Sequence, residues 1–242
     1  MDLKSEYDRM VTSPPFATMP PSARHFLEKC RRETLSIDPG SDLLTQGQAD
    51  PNYYTIISGV AQTSMESPAG STLLGLLFPG DLAGLQYVSD DPMCYSVTAL
   101  TRLEVLSLPR SALPQLAALV PDYVQKLSWL SALELNIMAR LGTNAGHGRG
   151  PDRLAATLYY IFRRAEAANL TDGNTMRLPI KQSDLAAALG ISLVHTNKSL
   201  RKLREQDLIH WRNSALEVLD RKGLEDLVQD VPDYIFSGRP IV

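Results

Sequence analysis

Asn197, Lys198, Arg201 and Lys202 fall on one side of a helix-period stretch whose other side carries Leu200 and Leu203. Amide, ammonium and guanidinium groups gathered in this way can bond base edges and phosphates, so the stretch is a candidate major-groove reader. Upstream, Leu185, Ala186 and Leu189 mark the inward face of a preceding helix, and Gly190 separates the two. The run from Gln182 to Arg201 (QSDLAAALGISLVHTNKSLR) therefore has the spacing of a helix-turn-helix. Ala186 stands where two such helices come closest. Gly190 can take a positive φ at no steric cost, and the Ser192 hydroxyl can cap the second helix. Amides exposed at that cap also suit a phosphate. An ordinary helical hairpin with a solvated basic face has the same local pattern, so the surrounding chain must decide.

The residues after the motif favour DNA. Residues 208–211 (LIHW), 212–214 (RNS) and 215–218 (ALEV) read as a two-stranded hairpin with a polar turn, which makes a wing. Residues 176–179 (MRLP) supply a possible edge strand, so a winged helix-turn-helix domain runs from Pro151 to about Leu227 and is assigned the rest of the chain, 151–242. Arg212, at the wing tip, would reach a backbone phosphate. Between Lys181 and Arg212 the bases Lys181, Lys198, Arg201, Lys202, Arg204 and Arg212 outweigh the acids Asp184, Glu205 and Asp207. The whole chain, by contrast, carries a net charge of −3, which argues against a nonspecific coater of nucleic acid and leaves room for a local basic surface.

At 242 residues the chain has length for two cores. No apolar run reaches the roughly 18 residues a membrane span needs, and the opening MDLKSEYDRM lacks the order of a secretory signal, so the expected location is the cytoplasm, with no membrane partner. Cys30 and Cys94 are the only cysteines and form no metal-binding spacing. They read as structural thiols, with a redox role as the alternative. Neither metal nor cofactor is expected.

Between Leu35 and Pro109 the pattern changes. Short apolar runs at 43–45, 53–59, 71–78 and 103–108 alternate with turns rich in Pro, Gly, Asp and Ser, as in a small β-roll. No Gly-x-Ser-x-Gly, Walker loop or His-Glu-x-x-His occurs, and Asp90-Asp91 reads as a turn, so no enzymatic activity is expected. A long helix links the halves. Pro121 suits its first position, and Asp122 complements the positive end of its dipole. Tyr123, Leu127, Leu130, Glu134, Ile137 and Leu141 recur along it at spacings of four and three, a seam that would join two chains. Packing against the helix's own roll is the competing use of the same stripe. Glu134 sits at the seam's edge, pairs with a base, or specifies register.

This order of β-roll, long helix and winged helix-turn-helix, with Pro-Gly-Asp at 79–81 and LAAALGIS at 185–192, resembles the Crp/Fnr family of bacterial transcription regulators over about residues 15–230. The resemblance implies an α+β chain: a cyclic-nucleotide-binding-like roll (1–120), a dimerisation helix (121–142), a hinge (143–150) and a winged helix-turn-helix domain (151–242). It also implies a homodimer on a pseudo-palindromic operator in double-stranded DNA, with RNA polymerase as functional partner. The family's base-contacting positions correspond to Leu193, Val194, Asn197 and Lys198, flanked by His195 and Arg201. Gln182, Ser183 and Ser192 suit phosphates. Lys181 stands where Thr would cap better, and Thr196 and Ser199 where apolar packing is usual. Family members that bind cyclic AMP use a Gly-Glu pair and an Arg-Ser/Thr-Ala run. The corresponding residues here are Gly84-Leu85 and Met93-Cys94-Tyr95, a degenerate effector pocket without its acidic and basic anchors. Cysteines for an iron–sulfur cluster are lacking, and no His lies between Leu35 and Pro109 to hold haem. The effector is left unknown. The glycine-rich stretch GTNAGHGRG (142–150) is either a switching hinge or a passive linker. A different class of reading also stands: a small-molecule-binding signalling module whose winged helix docks on protein.

Overall fold

The computed structural model describes residues 21–30, 34–68, 70–85, 92–121, 125, 127–133 and 150–228. The chain divides into two compact units, residues 1–132 with 238–242 and residues 133–237.

After helix α1 (Pro21–Cys30), the first unit contains eight strands: β1 (Thr34–Ile37), β2 (Asp42–Leu44), β3 (Asn52–Ser58), β4 (Ala61–Ser67), β5 (Gly70–Leu77), β6 (Leu82–Ala83), β7 (Ser96–Ala99) and β8 (Leu103–Pro109). They form two antiparallel four-stranded sheets, ordered β1-β8-β3-β6 and β2-β7-β4-β5. The apolar runs at 43–45, 53–59, 71–78 and 103–108 all fall on strands. Strands β1, β4, β6 and β7 carry no such signal, because TLSI, AQTSMES and SVTA mix in polar or small residues and β6 has two residues. Central strands β3 and β8 are buried along most of their length, whereas edge strand β1 alternates. Leu44, Tyr54, Ile56, Val97, Leu103 and Val105 come from both sheets and fill one core. A 3-10 turn (Arg110–Ala112) and helix α2 (Leu113–Leu119) follow β8.

Two tight turns fix the roll. Gly59 has φ 88°, and a Cβ there would lie 2.2 Å from the Arg102 carbonyl oxygen. In the Pro-Gly-Asp turn, buried Asp81 accepts the Phe78 N–H at 2.9 Å, while the Gly80 N–H reaches the Ile56 carbonyl at 2.8 Å.

A polar cluster closes one end of β3. The Tyr54 hydroxyl donates to Asp50 Oδ2 at 3.0 Å, the Asn52 amide N–H to Asp50 Oδ1 at 2.8 Å, and Arg110 Nε to the Asp50 carbonyl at 2.9 Å. Burial pushes the Tyr54 phenol up from 10.0 to about 12, outweighing the hydrogen bond from Asn52 that lowers it. The folded state thus holds this proton more tightly than the unfolded chain. Its contribution is complete below pH 10.0 and disappears as pH rises through about 12. In urea unfolding across that window, wild type should lose on the order of 2 kcal/mol relative to Tyr54→Phe; parallel curves for the two proteins would refute this.

Residues 127–133 are helical. Of the expected dimer seam, Tyr123, Glu134, Ile137 and Leu141 lie outside the described residues, as do Asp90-Asp91, Asp122 and the hinge up to Arg149. Leu127 is half-buried. Leu130 is 3% exposed within the single chain, so its own chain already covers most of that side chain.

The second unit comprises α3 (Gly150–Ala167), β9 (Thr171–Asp172), β10 (Thr175–Arg177), α4 (Gln182–Ala188), α5 (Leu193–Glu205), β11 (Ile209–Arg212), β12 (Ala215–Val218) and α6 (Arg221–Leu227). Helix α3 packs on α5 and α6, and its Leu154, Leu158 and Phe162 are fully buried. The strands form one antiparallel sheet, β11-β12-β10-β9. Residues 176–179 were expected at an edge. Instead β10 lies between β12 and the two-residue strand β9, which pairs Met176 with Thr171. Helix α6 is tied to α3 by a forked pair, Arg221 Nη1 and Nη2 to the two Glu166 carboxylate oxygens at 2.9 and 3.0 Å. Among the described residues no helix is long and apolar enough to cross a membrane.

Candidate nucleic-acid interface

Helix α4 starts where its sequence was least promising. Lys181 has no side-chain oxygen to cap it, but the Asp184 carboxylate reaches back to the Lys181 N–H at 3.2 Å and does half of a capping box. Asp184 also sits in the first turn, where a negative charge complements the helix dipole. At the other end the chain closes with a Schellman arrangement. Gly190 has φ 63°, its N–H reaches the Ala187 carbonyl at 3.0 Å, and the Ile191 N–H reaches the Ala186 carbonyl at 3.0 Å. A Cβ at Gly190 would meet nothing within 4 Å, so the turn requires glycine for its φ rather than for space. Leu185 and Ala186 are buried against the rest of the unit.

Helix α5 begins at the Ser192 cap, whose Oγ accepts the His195 N–H at 3.2 Å and stands 2.9 Å from His195 Nδ1. Thr196 and Ser199 face inward. Both are buried, and the Thr196 hydroxyl donates to the Ser192 carbonyl at 3.2 Å, which accommodates a polar group where packing is usually apolar. Leu203 completes the buried stripe.

The opposite face looks outward. Leu193 is 45% and Val194 63% exposed, and His195, Asn197, Lys198, Arg201 and Lys202 are exposed beside them. Arg201 differs from its neighbours: its Nε donates to Glu205 Oε1 at 2.7 Å, and that bond holds the guanidinium above its ordinary value. Of the residues assigned to phosphates, Ser192 is occupied as a cap, the Ser183 hydroxyl donates to Asp184 Oδ1 at 3.1 Å, and Gln182 is half-buried. In the wing, β11 and β12 pair from Ile209–Val218 to Arg212–Ala215. Asn213 and Ser214 carry φ values of 50° and 59°, the double positive φ of a type I′ hairpin turn. Arg212 is therefore the last residue of β11 rather than part of the turn, and it is exposed.

One positioning residue escaped the sequence reading. Arg153, on α3, donates through Nη2 to the Leu189 carbonyl at the end of α4, and so holds the first helix of the motif on the unit's core. An Arg in the first turns of a helix reads as a solvated group; only the fold brings a carbonyl to it.

In the roll, the residues expected to form a degenerate effector pocket differ in exposure. Gly84 is buried with φ 89°, and a Cβ there would stand 3.1 Å from Arg110 Nη2. Leu85 is half-buried. Met93 belongs to the core between the sheets, whereas Cys94 is exposed.

A β-roll in one unit and a winged helix-turn-helix in the other, with a basic and apolar reading face turned outward, are the parts of a DNA-binding transcription regulator. Residues 152–227 match the Crp-like helix-turn-helix domain, and residues 34–119 match the cyclic nucleotide-binding domain. The chain belongs to the Crp/Fnr family of transcription regulators. It is 24% identical over 206 residues to a probable transcriptional activator of Rhizobium leguminosarum bv. viciae, covering 84% of this chain and 85% of that protein. It is 27% identical over 201 residues to the transcriptional regulator SdrP of Thermus thermophilus, covering 82% and 95%. The structure of FixK2 from Bradyrhizobium japonicum shares the fold, with a TM-score of 0.70, 19% identity, and coverage of 83% of this chain and 98% of that one.

Proposed function

We propose that the chain binds a pseudo-palindromic DNA operator as a homodimer, presenting two copies of α5 to successive major grooves, and that cyclic AMP is not its effector. The observation that supports this best is the exposed start of α5. Leu193 and Val194 lie uncovered beside Asn197 and Lys198, a mixed surface suited to thymine methyl groups and to polar base edges. In this reading Leu193, Val194, Asn197 and Lys198 contact bases, His195 and Arg201 flank them, and Gln182, Ser183, Ser192 and Arg212 meet the backbone. Arg201 must share its guanidinium with Glu205 to do so, and Ser183 must turn its hydroxyl away from Asp184. Dimerisation falls to the helix around Leu127, and transcription to a contact with RNA polymerase in the cytoplasm.

Leu85 and Met93-Cys94 offer neither carboxylate for a ribose hydroxyl nor guanidinium for a cyclic phosphate. Arg110, the guanidinium beside Gly84, donates through Nε to the Asp50 carbonyl and lies 4.2 Å over the Tyr53 ring. Light scattering of the complex with a two-half-site duplex should give two chains per duplex, and one chain per duplex would refute the dimer. Millimolar cyclic AMP should leave operator affinity unchanged, whereas a rise of about 5-fold or more, the usual range of effector coupling, would restore the nucleotide.

A further inference from the structure

The polar face of α5 continues past Lys198 toward the wing. Asn197, Arg201 and Arg204 succeed one another along that side, and with Gln182, Trp211 and Arg212 they line a cleft of about 320 Å³ between α5, the start of α4 and β11. Three of the lining residues are arginines and none is an acid. Arg201 already has Glu205 as partner. Arg204 and Arg212 are both exposed, and among the described residues no carboxylate pairs with either. Two guanidiniums beside one cleft repel until an anion joins them, and their planar forks match two oxygens of a phosphate. The half-buried Trp211 ring adds an apolar wall next to them.

We propose that this cleft seats one phosphodiester of the DNA backbone, held by Arg204 and Arg212, with Trp211 against the adjoining sugar. The inference rests on the operator reading above and assigns Arg204 and Trp211, which that reading leaves without a role. A phosphate can come from the duplex or from a free anion, and position favours the duplex. Asn197 lines the cleft and also stands on the base-reading face, so a docked duplex carries a backbone phosphate to its mouth. A free phosphate would meet only exposed, salt-screened charges. A backbone contact of this kind adds affinity without choosing a sequence and fixes the register in which α5 meets the bases.

The test is the salt dependence of binding to the selected operator for wild type, Arg204→Ala and Arg204→Lys, with thermal unfolding confirming that the surface changes leave the fold intact. Arg204→Ala should weaken operator and scrambled duplex by similar factors, and the slope of log affinity against log salt should flatten by about 0.9 for each phosphate no longer neutralised. Arg204→Lys should retain the slope and give up part of the affinity. An unchanged slope in Arg204→Ala, with site selection intact, overturns the phosphate seat and leaves the operator reading standing; wild-type protein that selects no site defeats that reading itself. Calorimetric titration of DNA-free wild type with inorganic phosphate should show no saturable binding. Saturable binding that Arg204→Ala removes would identify a free-anion site and overturn the backbone assignment.

Discussion

Gly59→Ala is expected to unfold the roll. The added Cβ would stand 2.2 Å from the Arg102 carbonyl oxygen and 2.9 Å from both Leu103 Cδ2 and Thr101 Oγ1. None of these can yield cheaply. The Val60 carbonyl accepts the N–H groups of Leu100 and Thr101, the Val60 N–H donates to Thr101 Oγ1 at 2.9 Å, and Leu103 is fully buried. Opening the turn would sacrifice three hydrogen bonds at about 1 kcal/mol each, on top of roughly 1–2 kcal/mol for alanine at positive φ. The sum, on the order of 4–5 kcal/mol, approaches the whole stability of a typical domain. Gly40 provides the control. It has φ 86° but nothing within 4 Å of a Cβ, so Gly40→Ala should cost the backbone component alone. Thermal unfolding of the two variants should differ by well over 10 °C, given the usual conversion of about 4–8 °C per kcal/mol. Equal midpoints would contradict the packing described.

Lys198→Ala should produce the largest loss of DNA binding. Its side chain is exposed on the outer face of α5, one position beyond Asn197. An ammonium in that place can donate to guanine O6 and N7, and one polar base contact discriminates by about 1–3 kcal/mol. A homodimer makes each contact twice. The expected cost is therefore about 2–6 kcal/mol, a loss of roughly 30-fold to 20,000-fold in affinity for the selected site. The loss should fall on the specific duplex, with preference relaxing at one base pair per half-site and scrambled DNA weakened far less. Competition between the two duplexes measures this directly, and an unchanged ratio would remove Lys198 from the reading face.

The helix-turn-helix was legible because every level of its sequence agrees. The apolar spacing of Leu185, Ala186, Leu200 and Leu203, the glycine at the only positive-φ position between the helices, and the serine cap all point to one geometry, and the structure adopts it. The Lys181 cap looked defective only because capping was sought in the cap residue itself, while Asp184 supplies it from three residues on. Strands were legible where they are buried and apolar, as in β3 and β8, and not where a polar run such as AQTSMES gains its identity from the strands beside it. The Arg153 bond to the Leu189 carbonyl and the Arg221–Glu166 pair each join residues far apart in the chain, and no local pattern announces either. Met93, matched to an effector position by resemblance, is buried in the core, and no local pattern announces that burial because it depends on the sheets that close over it.

The central claim is that α5 and its dimer mate read a symmetric operator. It is tested most directly by letting the purified, ligand-free protein select from random duplex DNA and then sequencing what it retains. Enrichment of a two-fold-symmetric site, with half-sites about one helical turn apart, is the expected result. Sequences retained with no shared site, or a single unsymmetric half-site, would contradict it.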